Sequence, residues 1–309
     1  MRTVRGRDYL SVRDLDPDEL RGVLQRAGEV KAQARTGDQA MVLRGKTLAL
    51  VFEKPSLRTR TTFETGMFQL GGNAVYLGPQ DIQMGSRETP ADVARNLDRW
   101  VDAIAARTFA QRTVETLAEH AHIPVINALS DWEHPCQALA ALLTIRERFG
   151  RLEGVRLAWV GDGNNTLRSL VYGGASLGMS IVIATPDEYR LDAETFRWGQ
   201  AAAKASGGAL AAIDDPAAAV READVIYTDV WTSMGQEASA AARRQVFQRF
   251  QVNAALLAHA PAHAVVTHCL PAHRGEEITD EVLDGHRSVA FDEAENRLHT
   301  QKALLAEVL

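Results

Sequence analysis

The sequence is short of cysteine, of long apolar segments and of excess basic charge. Only Cys136 and Cys269 occur in 309 residues, and two distant thiols in a chain of this size predict a reduced, cytosolic protein. No run of eighteen apolar residues is present to span a membrane, and residues 1–10 lack the apolar segment of a secretory signal. The formal net charge of −6 argues against nucleic acid as a partner. We therefore expect a cytoplasmic protein that binds neither membrane nor nucleic acid.

The composition that remains is that of an ordinary globular protein, and the length suits two domains. Hydrophobic residues make up 46% of the chain and charged residues 24%. Short apolar runs alternate with segments of helical periodicity, which predicts βαβ units around parallel sheets. The predicted fold class is α/β, with two doubly wound parallel-sheet domains joined by two long helices. The first domain is placed at 1–134, with a C-terminal helix (295–309) packing back onto it, and the second at 152–294.

Two segments have a less regular pattern. The alanine-rich run 199–220 is interpreted as two helices. Residues 288–291 are interpreted as a strand, followed by a last helix that starts near Asn296. That interpretation puts Arg297 at a helix start, where a basic residue opposes the helix dipole and so suggests an anionic partner.

The clearest chemical signal follows the predicted strand 47–52, where a helix is expected to begin. Ser56, Arg58, Thr59 and Arg60 lie together there. The first backbone N–H groups of a helix and its positive dipole end favour an anion, and arginine forks suit phosphate oxygens. A simple helix cap with solvated arginines is the alternative. Two hydroxyls interleaved with two arginines favour a phosphate site that is not of the P-loop type.

Further polar clusters follow predicted strands or open predicted helices. Ligands of open α/β sheets lie outside the carboxyl ends of the strands, so we expect these clusters to converge on one cleft. Each also has a structural explanation, namely a surface arginine, a helix cap or an Asx turn. At a helix start, His134 would be favoured as a neutral imidazole. The clusters are Arg107, His134–Gln137, Asp229–Gly235, His268–Gly275 and Arg297.

Residues 161–165, Gly-Asp-Gly-Asn-Asn, look like a dinucleotide-binding turn but depart from it. The third glycine of that fingerprint is missing, and no acidic residue closes the following strand. We therefore expect no nicotinamide cofactor, and Asn165 could instead recognise a carboxylate or an amine. His268, Cys269 and His273 offer too few ligands at metal spacing, so no metal site is expected.

Four of these motifs, taken in order, resemble the ornithine carbamoyltransferase family, within the aspartate/ornithine transcarbamylases. They are residues 56–60, 134–137, 229–235 and 268–271, and the resemblance runs from about residue 8 to the end. It implies transfer of the carbamoyl group of carbamoyl phosphate to the δ-amine of L-ornithine, giving L-citrulline and phosphate in arginine metabolism. It also implies that the enzyme needs no cofactor and forms a homotrimer.

The resemblance also implies a role for individual residues. Catalytic roles fall on Arg58, Arg107, His134 and Cys269, and ornithine would be held by Asn165, Asp229, Ser233 and Met234. Gln83 would be supplied by a neighbouring subunit. Leu57 stands where the family usually has threonine, so we expect modestly weaker phosphate binding. The implied carbamoyl phosphate site comprises Ser56, Leu57, Arg58, Thr59, Gln83, Arg107, His134, Gln137, Cys269, Leu270 and Arg297.

Two alternatives remain open at this point. The amine could be putrescine or an acylated ornithine, although Asp229 with the following Ser233–Gly235 favours free ornithine. The chain could also be a non-catalytic binding module that keeps the fold. Retention of the arginines Arg58 and Arg107, of His134 and of Asp229 argues against that second possibility.

Overall fold

The computed structural model describes residues 4–37, 40–232 and 237–309. Two compact units account for the chain. The first unit is Met1–Leu143 with Glu295–Leu309, and the second is Thr144–Ala294. Among the described residues, no helix is both long enough and apolar enough to cross a membrane.

The described part of the first unit contains a four-stranded parallel sheet in the order β2-β1-β3-β4. Its central strands are buried on both faces, which explains why they are continuous apolar runs rather than alternating ones. The strands are β1 Thr47–Phe52, β2 Asn73–Leu77, β3 Ala103–Arg107 and β4 Val125–Leu129. The helices that precede or connect them are α1 Pro17–Thr36, α2 Leu57–Gln69, α3 Pro79–Ile82, α4 Pro90–Leu97 and α5 Gln111–His120.

The described part of the second unit contains a five-stranded parallel sheet in the order β7-β6-β5-β8-β9. Its strands are β5 Arg156–Val160, β6 Ser180–Ala184, β7 Ala209–Ile213, β8 Val225–Thr228 and β9 Val265–His268. Its helices are α7 Asn165–Ser176, α8 Ala193–Ser206, α9 Pro216–Val220, α10 Ala240–Phe247, α11 Ala254–Leu257 and α12 Asp280–Leu283.

Two long helices, α6 Pro135–Phe149 and α13 Ala290–Val308, each begin in one unit and end in the other. The predicted fold class, two doubly wound parallel-sheet domains joined by two long helices, is confirmed.

Each sheet has one point where the strand order reverses. In the first sheet this point lies between β1 and β3, because β1 connects outward to β2 and β3 connects outward to β4. In the second sheet it lies between β5 and β8. Ligands of doubly wound sheets bind beyond the carboxyl ends of the strands at such a point. The residues that follow these four strands, β1, β3, β5 and β8, are therefore where this fold places a ligand.

The predicted strand at 288–291 is wrong. Ser288 makes only an isolated bridge with Val266, and α13 already begins at Ala290. Acidic side chains in the first turn favour a helix start at this position, because they complement the positive end of the dipole. Arg297 consequently lies two turns inside α13, and the argument from an unfavourable helix start does not apply to it.

The prediction of two helices for the alanine-rich run 199–220 is incomplete, because it leaves out a strand. It contains the end of α8 and the whole of α9, but β7 lies between them and pairs with β6. Alanine supports neither helical nor strand periodicity strongly. Pairing with the neighbouring strand therefore decides the structure of 209–213.

Gly163, in the turn after β5, allows a close approach of two backbone segments. Its N–H donates to the Tyr189 carbonyl oxygen at 2.9 Å, and a Cβ on residue 163 would lie 2.3 Å from that oxygen.

Gly163→Ala should therefore lower the free energy of unfolding by about 3 kcal/mol, as measured by urea denaturation. Gly207→Ala is the control, because Gly207 has a positive φ but open space around it, and it should cost only about 1 kcal/mol. Equal losses in the two variants would contradict the clash.

Candidate active site

The start of α2, directly after β1, has the geometry of an anion-binding helix end. Ser56 caps the helix, and its Oγ accepts a hydrogen bond from the Thr59 N–H at 3.2 Å. The first turn of α2 carries no acidic residue that would occupy the positive end of the dipole. The Leu57 side chain is 77% exposed. Its contribution to an anion site is therefore limited to the backbone N–H.

Arg297 reaches this region from α13. The guanidinium donates from Nη1 to Gln137 Oε1 at 2.5 Å and from Nη2 to Thr59 Oγ1 at 3.2 Å. The side chain is only 2% exposed. The amide of Gln137 and the hydroxyl of Thr59 are neutral, so they orient the guanidinium without cancelling its positive charge. The structure thus brings together three residues that the sequence only suggested were neighbours.

His134 lies among cationic side chains at the start of α6. It is buried, as is Arg107 at the end of β3. Burial is the largest cause that lowers the pKa of His134 well below its usual value, and nearby cations lower it further. The cations, in decreasing order of effect, are Arg297, Arg107, Lys54 and Arg58. His134 is therefore neutral at physiological pH, and the region around it carries positive potential that suits a multiply charged anion.

Lys54, three residues before the start of α2, is a cation close to His134 that the sequence analysis did not single out. It is buried, and its Nζ lies 4.8 Å from the centroid of the Phe109 ring. Burial, followed by the charge of Arg107, lowers the pKa of Lys54 to about 8. Its place two residues before Ser56 in the sequence was the available signal.

Asp229, directly after β8, is the centre of the second unit's polar cluster. Its carboxylate accepts a hydrogen bond from Asn164 Nδ2 at 2.7 Å and one from the Cys269 thiol at 2.7 Å. The side chain is buried. Asn164 also caps α7 by accepting the N–H groups of Thr166 and Leu167. The Val230 N–H also donates to the Asp229 carboxylate, at 2.8 Å. A buried carboxylate held by three donors is a rigid acceptor that suits an ammonium group.

The predicted binding residue is Asn165, but the side chain that bonds to Asp229 is that of its neighbour, Asn164. Asn165 is the first residue of α7 and is half-buried, and its Oδ1 accepts the Thr166 N–H at 3.0 Å. Two consecutive asparagines gave the sequence analysis no means of separating their roles. Which side chain faces Asp229 depends on where the helix begins, and Asn164 takes that position as the N-cap.

The segment after β9 is held by a buried histidine–glutamate pair. The Leu270 N–H donates to His268 Nδ1 at 2.8 Å, so Nε2 carries the proton and donates to Glu277 at 3.0 Å. The same Glu277 oxygen accepts the His273 N–H at 2.6 Å. These bonds fix both ends of the segment that carries Cys269 and Leu270. Both ring nitrogens of His268 are engaged, which leaves the group Asp229, His268 and Cys269 poorly suited to hold a metal.

Two of the predicted ornithine residues, Ser233 and Met234, lie outside the described residues. Gln83 is exposed and takes a left-handed backbone conformation, with φ of 52°, at the end of α3. Its predicted role in a neighbouring subunit stays a prediction. Cys269 and Leu270 belong to the second unit, and their predicted contact with carbamoyl phosphate also stays a prediction.

Asp162 is a further buried carboxylate that the sequence analysis placed only in a glycine-rich turn. Arg243 of α10 lies 2.7 Å from it and also donates to the Trp231 carbonyl oxygen. Burial is the largest cause that raises the pKa of Asp162, to about 6, and the charge of Asp229 adds to it. Arg243 opposes that shift. A long-range ion pair of this kind leaves no local pattern in the sequence.

Comparison with known families accounts for both units. Residues 7–147 match the carbamoyl-P binding domain of aspartate/ornithine carbamoyltransferases, and residues 153–308 match their Asp/Orn binding domain. The anion-binding helix start falls in the first match and the Asp229 cluster in the second. The fold and these two clusters therefore define the chain as a carbamoyltransferase.

Relatives that match the chain over its full length are ornithine carbamoyltransferases. The chain is 52% identical to an ornithine carbamoyltransferase of Pyrococcus horikoshii over 307 residues, covering 99% of this chain and 97% of the relative. The structure of the Pyrococcus furiosus ornithine carbamoyltransferase superposes with a TM-score of 0.97 at 50% identity, covering 100% and 98% of the two chains. An anabolic ornithine carbamoyltransferase from Campylobacter jejuni gives 0.91 at 35% identity, with 97% of each chain covered. The chain belongs to the aspartate/ornithine carbamoyltransferase family, and the resemblance seen in its four motifs is confirmed.

The pKa of Lys54 gives a pH prediction for carbamoyl phosphate capture. Because burial and Arg107 lower the pKa of this amine to about 8, Lys54 is charged below that pH and loses its charge above it. We expect kcat/KM for carbamoyl phosphate to fall as the pH rises through about 8. The Lys54→Arg variant should keep its kcat/KM to higher pH. The Lys54→Met variant should have a low kcat/KM at every pH, without the decrease near pH 8. An unchanged inflection in Lys54→Met would assign it to another group.

Proposed function

We propose that the protein transfers the carbamoyl group of carbamoyl phosphate to the δ-amine of L-ornithine, giving L-citrulline and phosphate, in arginine biosynthesis. The observation that carries the proposal is the set of cations around the neutral His134. A phosphate dianion is the ligand that such a potential favours. The full-length relatives named ornithine carbamoyltransferase support the choice of reaction. Two relatives are named as anabolic ornithine carbamoyltransferases, which supports the biosynthetic direction.

In the first unit, carbamoyl phosphate would lie at the start of α2. Its phosphate would accept hydrogen bonds from the Ser56 hydroxyl, the Leu57 N–H and the Arg58 and Thr59 region, with Arg297 completing the set. Arg107 and the neutral His134 would reach the carbonyl oxygen, with Gln137 beside them. Negative charge develops on that oxygen during attack, and each well-placed donor is worth about 3 kcal/mol.

In the second unit, Asp229 and Asn165 would hold the amino-acid end of ornithine. Asn164 and the Cys269 thiol already donate to Asp229, which fixes the carboxylate for an incoming ammonium group. Cys269 is then a positioning residue, since its thiol proton is directed at Asp229 rather than released. Ser233 and Met234 are retained in the proposal from the motif that they belong to.

The chemical step balances without a cofactor. The neutral δ-amine attacks the carbamoyl carbon, so a C–N bond forms as the C–O bond to phosphate breaks. Phosphate leaves with the electron pair of that bond and accepts the amine proton, so no separate general base is required. Holding the two reactants in line supplies on the order of 7 kcal/mol of the barrier reduction.

A substrate comparison tests the proposed reaction. The purified protein is given carbamoyl phosphate with L-ornithine, putrescine or N-acetylornithine, and carbamoylated product is measured by a ureido colour assay. We expect turnover with L-ornithine and at least about a hundredfold lower kcat/KM with the other two amines, since a site built for a polar group rejects analogues that lack or mask it. Turnover with putrescine alone would overturn the choice of amine. Failure with all three would favour a binding module.

We further propose a homotrimer in which Gln83 acts in the active site of a neighbouring subunit, in the cytoplasm. Exposure of Gln83 at the surface of its own unit supports this arrangement. Two reduced thiols in the whole chain suit that compartment.

Mixing two inactive variants tests the shared site. Gln83→Ala and Arg107→Met should each be severely impaired, and reassembly of a one-to-one mixture should restore about a quarter of wild-type activity. That fraction arises because half of the chains keep Arg107 and half of their neighbours keep Gln83. Arg107→Met mixed with His134→Phe is the matched control and should recover nothing, because both residues belong to the same chain's site. No recovery in the first mixture would mean that Gln83 acts within its own subunit or not at all.

A further inference from the structure

The buried face of α1 contains a lysine where its spacing calls for an apolar residue. The apolar members of this face, Leu20, Val23, Leu24, Ala27 and Val30, follow helical spacing, and Lys31 completes the same face. Lys31 is only 6% exposed. A buried ammonium is costly unless it is bonded, and the chain has only five lysines to place. Packing alone does not explain a lysine at this position.

Lys31 is bonded to the residue next to Arg297. Its Nζ donates to Asn296 Oδ1 at 2.7 Å, and the Glu295 carboxylate lies 3.6 Å away. Asn296 is completely buried. All four residues belong to the first unit, so the contact joins α1 to α13 next to the guanidinium that bonds to Thr59 and Gln137.

A second lysine holds α13 farther along, against α2. Lys302 is buried and its Nζ donates to Gln69 Oε1 at 2.8 Å. Its side chain also passes close to Gly66, where a Cβ would lie 3.2 Å from Lys302 Cγ. The position and rotation of α13 are thus fixed on one side of Arg297 by Lys31 and on the other by Lys302.

We propose that Lys31 is a positioning residue for carbamoyl phosphate. By holding Asn296, it sets the rotation of α13 that carries the Arg297 guanidinium to Thr59 and Gln137 at the start of α2. The inference rests on the proposed function, because it takes Arg297 as a ligand of carbamoyl phosphate. Misplacement of such a group by about 1 Å can cost up to ~100-fold in rate. Loss of the Lys31 contact should therefore act on carbamoyl phosphate and leave ornithine binding unchanged.

Lys31→Met tests this selectivity, because methionine keeps the volume of the side chain and removes the ammonium. We expect the KM for carbamoyl phosphate to rise about tenfold, while kcat and the KM for ornithine at saturating carbamoyl phosphate change less than about twofold. Lys204→Met is the matched control, since Lys204 is an exposed lysine of α8 in the second unit. A lower kcat with both KM values unchanged would show that Lys31 only supports folding and would overturn the proposal.

A double-mutant cycle decides whether Lys31 acts through Arg297. If it does, Lys31→Met should raise the KM for carbamoyl phosphate in the wild-type background but by less than about twofold in an Arg297→Met background. Equal effects in the two backgrounds would overturn the proposal. If Lys31→Met does not fold, Asn296→Asp and Asn296→Leu carry the same test. The aspartate keeps an acceptor for Lys31 and should behave almost as wild type, whereas the leucine should raise the KM.

Inorganic phosphate separates failure of this inference from failure of the proposed function. Phosphate that binds at the start of α2 should raise the thermal unfolding midpoint of the wild-type protein. The Lys31→Met protein should show a clearly smaller rise. If the wild type gives no citrulline but this difference persists, the reaction is wrong and the positioning role stands. If citrulline forms but phosphate protects both proteins equally, the positioning role is wrong.

Discussion

The first unit depends on gathering cationic side chains, most of them buried, around His134. Arg297 is almost completely enclosed, and its hydrogen bonds to Thr59 and Gln137 go to neutral oxygens. Burying a cation costs free energy unless hydrogen bonds or charges of opposite sign compensate it. Arg107, Lys54 and Arg58 act on the same buried His134, so this region of the first unit carries a positive potential that suits an anion. Burial first, and these cations second, keep His134 neutral, so it can donate a hydrogen bond without adding a charge of its own.

The second unit has the opposite electrostatic character at the equivalent place. Asp229 follows β8 at the point where the strand order reverses, and Asn164 and Cys269 fix its carboxylate. The buried pair of His268 and Glu277 holds the neighbouring segment through a single histidine tautomer. The strand ends of the two units thus carry charge of opposite sign, cations in the first unit and a carboxylate in the second, because the side chains that follow the strands set that charge.

Much of the architecture could be predicted from local pattern. The apolar run 47–52 forms the buried strand β1, and a helix begins after it at Leu57, as the pattern predicts. The failures have a common cause. The strand at 209–213 has no distinctive pattern and forms because β6 offers it a partner. Residues 290–291 of the supposed strand are instead the first residues of α13, because the acidic first turn of that helix outweighs a short apolar run.

The sequence by itself determined which chemistry the protein carries. The reason is that the chemical groups lie in short stretches whose residue types indicate their function, namely the hydroxyls and arginines at 56–60 and the motifs around His134, Asp229 and Cys269. Only the tertiary structure decided how those groups are arranged. It selected Asn164 rather than Asn165 as the partner of Asp229, added Lys54 to the cationic cluster, and brought Arg297 to Thr59 and Gln137. The physical reason is that such contacts join residues far apart in the chain, and they depend on the rotation and packing of whole helices, which local spacing does not specify.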